Sequence, residues 1–187
     1  VQTGALPIFL IARGCGKKED ALPEPAVPAI TPEVQKPEPA EPKPTQTTKA
    51  TLSAVGDIMV YASQVEDAKK EDGSYDFLPS LASVSTLLTA SDITVGNFEA
   101  NFAAEPYAGF PNFSAPPSLA DTLASLGFDV LQTANTYSIQ GGLTGLSSTI
   151  RTIRAAGMDT LGTYISAADK EEHQVVVREA NGITIAF

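Results

Sequence analysis

Oxygen-bearing side chains follow three successive predicted strands of this sequence. Asp57 ends the first strand, Asn97 and Glu99 follow the second, and Asn135 follows the third. A single Asp or Asn after a strand is usually a turn former, but three in succession at the carboxyl ends of parallel strands indicate a binding site. Carboxylate and amide oxygens favour hard cations such as Mg²⁺, Ca²⁺ or Mn²⁺ over zinc. The sequence therefore predicts a metal site at this edge of the sheet.

Other residues with catalytic potential are few. The chain has one histidine, His173, and one cysteine, Cys15, which excludes a disulfide framework and a metal site built mainly of His and Cys. We expect His173 at the start of a strand, on the opposite edge from the polar cluster, as a solvated surface residue. Arg151 and Arg154 are predicted on the polar side of a helix, facing solvent.

The elements that must position these residues alternate between strand and helix. Apolar patterning predicts strands over 50–56, 93–96, 128–133 and 158–161, and helices over 79–90 and from 118 to about 126. It also predicts a helix that begins at 143 and is ended by Gly157, with an apolar stripe of Leu143, Leu146, Ile150 and Ile153. Such alternation predicts an α/β fold with a mainly parallel sheet covered by helices.

Short local signals mark the ends of some of these elements. Ser118 with Asp121 three residues on resembles a capping box at a helix start, and Gly127 is placed to end that helix. Asn181-Gly182 lies between two β-branched runs, which is the strongest hairpin signal in the sequence. We therefore expect an antiparallel hairpin at one side of the parallel sheet.

The segment 101–117 fits neither a strand nor a helix. It contains Tyr107, Phe110, Phe113 and four prolines, which is too apolar for a plain linker. Two interpretations stay open at this point, an ordered lid or pocket wall and a loop packed over the sheet.

Charge limits the partners that this domain can bind. The whole chain carries a net charge of -10, and residues 51–187 alone hold 6 basic and 16 acidic side chains. An acidic domain does not favour nucleic acid, whose phosphates demand a basic face. It would also repel any polyanionic polymer unless cations intervene.

The first 49 residues differ from the rest in composition. We interpret 1–16 as an artefactual start joined to the remnant of a bacterial lipoprotein signal, in which Cys15 is the acylated residue. The alternative is a stray thiol in a tail. Residues 17–49 are predicted to form a disordered Pro/Glu/Lys-rich spacer, because eight of the 14 prolines lie within 20–48.

The remaining residues, 50–187, form the predicted domain. The sequence lacks a starting Met and stops at Phe187 inside an apolar strand. We therefore expect it to be a fragment of a longer protein.

Five stretches in order along this domain resemble the CapA family of capsule or poly-γ-glutamate biosynthesis proteins. They are AVGDIMV (54–60), SDITVGNFEANFA (91–103), the stretches at 109–135 and 142–164, and NGITIAF (181–187). The resemblance implies a calcineurin-like metallophosphatase fold, truncated here from a four-layer α/β sandwich, with a dinuclear metal site. Asp57 matches the family's first-strand aspartate, and Asn97 and Glu99 match its Asn-x-Glu motif.

The third motif departs from the family pattern. The family commonly reads Ala-Asn-Asn-His, whereas this chain has Ala134, Asn135, Thr136 and Tyr137. A phenol titrates near pH 10 and cannot replace imidazole as an acid–base group at neutral pH. The family's remaining histidine motifs lie downstream of the point that corresponds to Phe187.

Two functions follow from the resemblance. The first is an envelope-anchored, metal-dependent hydrolase or transferase that acts on poly-γ-glutamate or another anionic capsular polymer. The second is a non-catalytic scaffold that binds or exports the polymer with a degenerate metal site. Both imply a lipid anchor on the extracellular face of the bacterial cytoplasmic membrane and contacts with other capsule synthesis proteins. The expected cofactors are divalent ions such as Mn²⁺, Mg²⁺ or Ca²⁺.

Overall fold

The computed structural model describes residues 46–187, so the predictions for Cys15, for 1–16 and for most of the spacer lie outside the described residues. The strands are β1 (Leu52–Ile58), β2 (Ile93–Phe98), β3 (Val130–Gln132), β4 (Asp159–Leu161), β5 (Val177–Ala180) and β6 (Ile183–Ala186). The first four form a parallel sheet in the order β1-β2-β3-β4, and β5 and β6 form a separate antiparallel pair. This confirms the predicted α/β class with a mainly parallel sheet and a C-terminal hairpin.

The strands are connected by short helices. These are α1 (Ala62–Ala68), α2 (Leu78–Leu81), α3 (Ser85–Leu88), α4 (Ser118–Ser125), α5 (Gly142–Ala155) and α6 (Ala167–His173), with a 3₁₀ turn over Ala82–Val84. Within 46–187, no helix has both the length and the apolar character needed to cross a membrane. Since connections between sequential parallel neighbours are right-handed, the helices between the strands are expected on one face of the sheet.

Strand β2 sets the alignment of the sheet, because it pairs with β1 on one side and with β3 on the other. Asn97 in β2 lies opposite Asp57 in β1 and opposite Gln132 in β3. The register shifts between Val55 and Asp57, which is a bulge centred on Gly56. The parallel register brings the carboxyl ends of the first three strands to one edge.

The core forms where the sheet packs against the helices. Phe98 and Leu131 from the sheet are buried in one cluster with Leu119, Leu123 and Ile153 from α4 and α5. Burying a side chain of this size stabilises the fold by about 1.5–3 kcal/mol. This packing fixes the strands whose ends carry the polar residues.

The segment 101–117 packs as a loop, which supports the second of the two interpretations. Phe102, Phe113 and Ala115 are almost fully buried. The backbone of Asn101 donates to the carbonyl of Phe113 at 2.9 Å and accepts from the amide of Ala115 at 2.8 Å. The loop is therefore part of the core, although Phe110 at its tip is 64% exposed.

The hairpin forms at the predicted turn. Asn181 and Gly182 both adopt positive φ, 53° and 76°, as a tight two-residue hairpin turn requires. The Arg178 guanidinium lies 2.9 Å from the carboxylate of Asp159, and Asn181 Nδ2 donates to Asp92 at 3.0 Å. The hairpin is thereby attached to residues at the amino ends of β4 and β2.

Three local predictions about helices were wrong. The helix predicted over 79–90 is split into α2, the 3₁₀ turn and α3, which fits the Ser and Thr content of this stretch, since these side chains compete for backbone hydrogen bonds. The capping box is absent, because α4 starts at Ser118 itself, with Pro117 as N-cap and no side-chain cap. Leu143, predicted on an apolar stripe, is 80% exposed at the first turn of α5.

The sequence patterns gave no sign of α1 or α6, and the placement of His173 was wrong as a result. His173 ends α6 rather than starting a strand, and its Nδ1 lies 3.0 Å from Oδ1 of Asp169 one helical turn earlier. Arg154, predicted to face solvent, lies 2.6 Å from the same carboxylate oxygen. The second oxygen of Asp169 accepts the amide of Ile165 at 2.9 Å.

This network changes the acidity of Asp169. Burial favours the neutral form, but hydrogen bonds from Arg154 and Ile165 and the charges of Arg154 and His173 outweigh it and lower the pKa of Asp169 below its ordinary value of 3.8. A depressed carboxyl pKa adds stability above the unfolded value, and this stability is lost as the pH falls through the folded pKa.

We therefore expect Asp169→Asn to destabilise the protein at pH 7 by about 1–3 kcal/mol and to flatten the loss of stability below pH 4. Urea unfolding between pH 7 and pH 3 measures both effects. Glu171→Gln, an exposed change on the same helix, is the control and should match the unsubstituted chain. Equal effects from the two substitutions would show that the Asp169 network does not stabilise α6.

Candidate metal centre

The sheet brings the four residues singled out from the sequence into one cluster. Asp57 lies inside β1 near its carboxyl end, Asn97 lies in β2, Glu99 follows β2, and Asn135 follows β3. The bulge at Gly56 sets Asp57 opposite Asn97, and the amide of Glu99 donates to the carbonyl of Ile58 at 3.1 Å. Strand pairing therefore holds Asp57, Asn97 and Glu99 together, and Asn135 joins them from the segment that follows β3.

Asn97 is the centre of the cluster. Its Nδ2 donates to Oδ1 of Asp57 at 2.7 Å and to Oε2 of Glu99 at 2.8 Å. Both amide hydrogens are thus used to hold two carboxylates on either side of one nitrogen. The partial positive charge of the amide group lies where a cation between the carboxylates would lie.

Asn135 supports Asn97 from the third strand. Its Nδ2 donates to Oδ1 of Asn97 at 3.2 Å and to the carbonyl of Phe98 at 2.7 Å. Its own side-chain oxygen accepts the backbone amide of Tyr137 at 3.1 Å. The oxygen of Asn97 is therefore hydrogen-bonded within the cluster, and that of Asn135 to the backbone that follows it.

The cluster is open to solvent on one side. Asp57 is exposed, whereas Asn97, Glu99 and Asn135 are half-buried. A hydrated ion can reach such a site without any movement of the core, and the half-buried members limit the number of waters around it.

The donor set fits one hard cation. Two carboxylates and two amides offer only oxygen ligands, which suits Mg²⁺, Ca²⁺ or Mn²⁺. Asn97 must turn its amide to present its oxygen, because its nitrogen now faces the carboxylates, and this turn gives up the hydrogen bond that its Oδ1 accepts from Asn135. Residues 46–187 contain no group of three or more His, Cys, Asp or Glu side chains that could hold a metal. The dinuclear site implied by the family resemblance therefore needs more ligands than these residues bring together.

Tyr137, at the position where the family commonly has His, is engaged in packing. Its ring meets Phe113 edge to face, with the ring centroids 4.6 Å apart. The ring of Tyr61 also meets Phe113 edge to face, with the ring centroids 5.4 Å apart. The sequence reasoning missed Tyr61; the signal that could have found it is its position three residues beyond the end of β1.

A residue shortly after the fourth strand is hydrogen-bonded to a neighbouring hydroxyl and not to the cluster. Thr163 Oγ1 lies 2.6 Å from Oγ1 of Thr133, which precedes the turn to Asn135. This hydrogen bond ties the end of β4 to the end of β3 and leaves the candidate ligands to the first three strands.

Comparisons with known proteins show the family to which this chain belongs. The family model described as "Bacterial capsule synthesis protein PGA_cap" matches residues 51–187. The capsule biosynthesis protein CapA of Bacillus anthracis is 28% identical over 149 residues, which is 75% of this chain and 34% of that protein. The PGA biosynthesis protein CapA of Bacillus subtilis (strain 168) is 26% identical over 147 residues, 73% of this chain and 36% of that protein.

The chain thus spans about a third of the length of these two relatives. The uncharacterized protein y4sH of Sinorhizobium fredii is also similar, at 28% identity over 127 residues. The family match covers all five stretches on which the resemblance to CapA was based. The resemblance is confirmed: the chain belongs to the bacterial capsule synthesis protein family described as PGA_cap.

Proposed function

We propose that this chain binds a divalent cation through Asp57, Asn97, Glu99 and Asn135 and acts there on an anionic capsular polymer such as poly-γ-glutamate. The observation that carries the proposal is the hydrogen-bonded convergence of these four side chains at one sheet edge in a capsule synthesis protein. The reaction class is hydrolysis or group transfer at the polymer's backbone linkage.

The roles of the four side chains follow from their geometry. Asp57 and Glu99 supply the negative charge that holds a cation, and Asn97 fixes their separation. Asn135, which donates to Asn97 from the side of β3, would bring the second amide oxygen to the cation. A bound divalent cation would polarise the scissile group and lower the pKa of a bound water.

A bound cation would also reduce the repulsion between this acidic domain and an anionic polymer. Residues 51–187 carry 6 basic and 16 acidic side chains, so a polymer of carboxylates would be repelled without it. Neutralising Asp57 and Glu99 with a divalent ion removes repulsion at the point where the polymer must approach. We therefore expect polymer binding to depend on divalent cations.

The cellular setting is part of the proposal. Acylation of Cys15 would anchor the chain on the extracellular face of the cytoplasmic membrane, and the proline-rich spacer would hold the domain away from the lipid. In that position it would meet the polymer together with other capsule synthesis proteins.

One observation favours the scaffold as a second candidate function. Tyr137 packs on Phe113 in place of the histidine that is common in the family, and its backbone amide is committed to Asn135. A site without that imidazole has lost a group suited to proton transfer at neutral pH. On this alternative the cation centre binds polymer without cleaving it.

The cation is tested first by thermal unfolding. Mn²⁺ at about 100 times its Kd should stabilise the chain by about 2.7 kcal/mol, which raises the unfolding midpoint by roughly 5–10 °C. Asp57→Asn should abolish most of this rise, because it removes one of the two carboxylates. Asp67→Asn, an exposed change of the same charge on α1, should keep it. Equal rises in all three proteins would contradict the proposed ligand set.

The polymer is tested by incubating poly-γ-glutamate with the chain and Mn²⁺ and measuring polymer length by size-exclusion chromatography. An enzyme shortens the polymer, and Asp57→Asn stops the shortening. A scaffold co-elutes with polymer of unchanged length. Tyr137→Phe is the control and should behave as the unsubstituted chain, since the ring provides the packing contact with Phe113. If the polymer is neither shortened nor co-eluted with the chain, both functions are contradicted.

A further inference from the structure

A groove lies over the first turns of α5, close to the candidate metal centre along the chain. It has a volume of about 460 Å³ and is lined by Ala103, Ala104, Gly141, Thr144, Gly145 and Ser148. We call it the α5 groove. Gly141 follows Asn135 by six residues, so at most about 20 Å of chain separates the groove from the metal centre.

Asn101 lies beneath this groove with an unused hydrogen-bond acceptor. Its side chain is 1% exposed and its Nδ2 donates to the carbonyl of Asn112 at 3.1 Å, but its Oδ1 has no partner among the described residues. That oxygen would lie 3.2 Å from a Cβ at Gly141 and 4.0 Å from one at Gly145. The two glycines keep side chains away from the oxygen. A buried acceptor of this kind calls for an N–H or O–H donor.

Asn101 calls for a hydrogen-bond donor, whereas the amino end of α5 favours a negatively charged acceptor. The helix has no side-chain cap and no acidic residue in its first turn, so its positive dipole end is not neutralised locally. Thr144 and Ser148, four residues apart on one face, line the groove with hydroxyls about 6 Å apart along the axis. These groups favour an anionic oxygen ligand.

A positively charged side chain lies on the same surface, beyond the α5 groove. A second depression of about 470 Å³ shares Thr144 and Ser148 with the α5 groove and extends to Arg151. Arg151 is exposed, and no carboxylate of residues 46–187 pairs with it. All the charged residues of α5 are basic, in a domain that is otherwise strongly acidic.

We propose that the α5 groove, with Asn101 beneath it and Arg151 beyond it, is a subsite for a carboxylate-bearing polyamide strand. One carboxylate would bind at the amino end of α5 and Thr144, an amide N–H would reach Asn101, and a further carboxylate would pair with Arg151. A γ-glutamyl chain carries both groups in each repeat. This inference rests on the proposed function and specifies how its substrate is recognised.

The test uses the 187-residue chain, Mn²⁺ and fluorescein-labelled poly-γ-glutamate, with the Kd measured by fluorescence anisotropy. Arg151→Gln should weaken binding about fivefold, whereas Lys170→Gln, which removes an exposed cation on α6, should leave the Kd unchanged. Gly145→Ala should weaken binding about tenfold by covering the approach to Asn101. Its Cβ makes only ordinary contacts, at 3.7 Å to Ala103 and 4.0 Å to Asn101, so the unfolding midpoint should not fall.

The outcomes distinguish failure of the proposed subsite from failure of the proposed function. Polymer binding that neither Arg151→Gln nor Gly145→Ala weakens would overturn the subsite and leave the proposed function standing. No binding by the unsubstituted chain would overturn both. Binding of hyaluronate, a carboxylated polysaccharide, with equal affinity and equal sensitivity to Arg151→Gln would show an anion surface without preference for a polyamide, and would overturn the assignment.

Discussion

The side-chain amide of Asn97 is the interaction on which the candidate site depends. One nitrogen donates to carboxylates from two different segments, at 2.7 and 2.8 Å, and so holds two like charges together in an acidic domain. Without a donor or a cation between them, Asp57 and Glu99 would repel each other. The amide and a divalent ion are thus alternative solutions to the same electrostatic problem, and a metal would be admitted when Asn97 turns and gives up its hydrogen bond from Asn135.

The fold supplies the conditions for this arrangement. Parallel pairing aligns the strand ends, the Gly56 bulge sets Asp57 opposite Asn97, and Asn135 holds the far side of Asn97 from β3. Behind them, Phe98 and Leu131 fix the strands against the helices. The buried loop that follows Glu99 places Asn101 beneath the first turns of α5. The proposed cation centre and the proposed polymer subsite are therefore neighbours along the chain, since Asn101 follows Glu99 by two residues.

Much of this was predictable from sequence, because it depends on short-range patterns. Strand–helix alternation predicted the sheet, and the topology of parallel strands then predicted that Asp57, Asn97, Glu99 and Asn135 would meet. The network of Asp169, Arg154 and His173 was not predictable, since it needs a helix, α6, whose short polar stretch carries no apolar stripe. The orientation of the Asn97 side-chain amide was also not predictable from the sequence. Sequence shows that an amide is present but not which of its two ends faces a carboxylate.

The most direct test of the account is a crystal structure of the chain grown with Mn²⁺, with an anomalous difference map recorded at the manganese edge. The account predicts one peak about 2.0–2.6 Å from oxygens of Asp57 and Glu99, with Asn97 turned so that Oδ1 faces the ion. A map without a peak at this sheet edge would contradict it. So would an ion bound elsewhere while Nδ2 of Asn97 still bridges the two carboxylates.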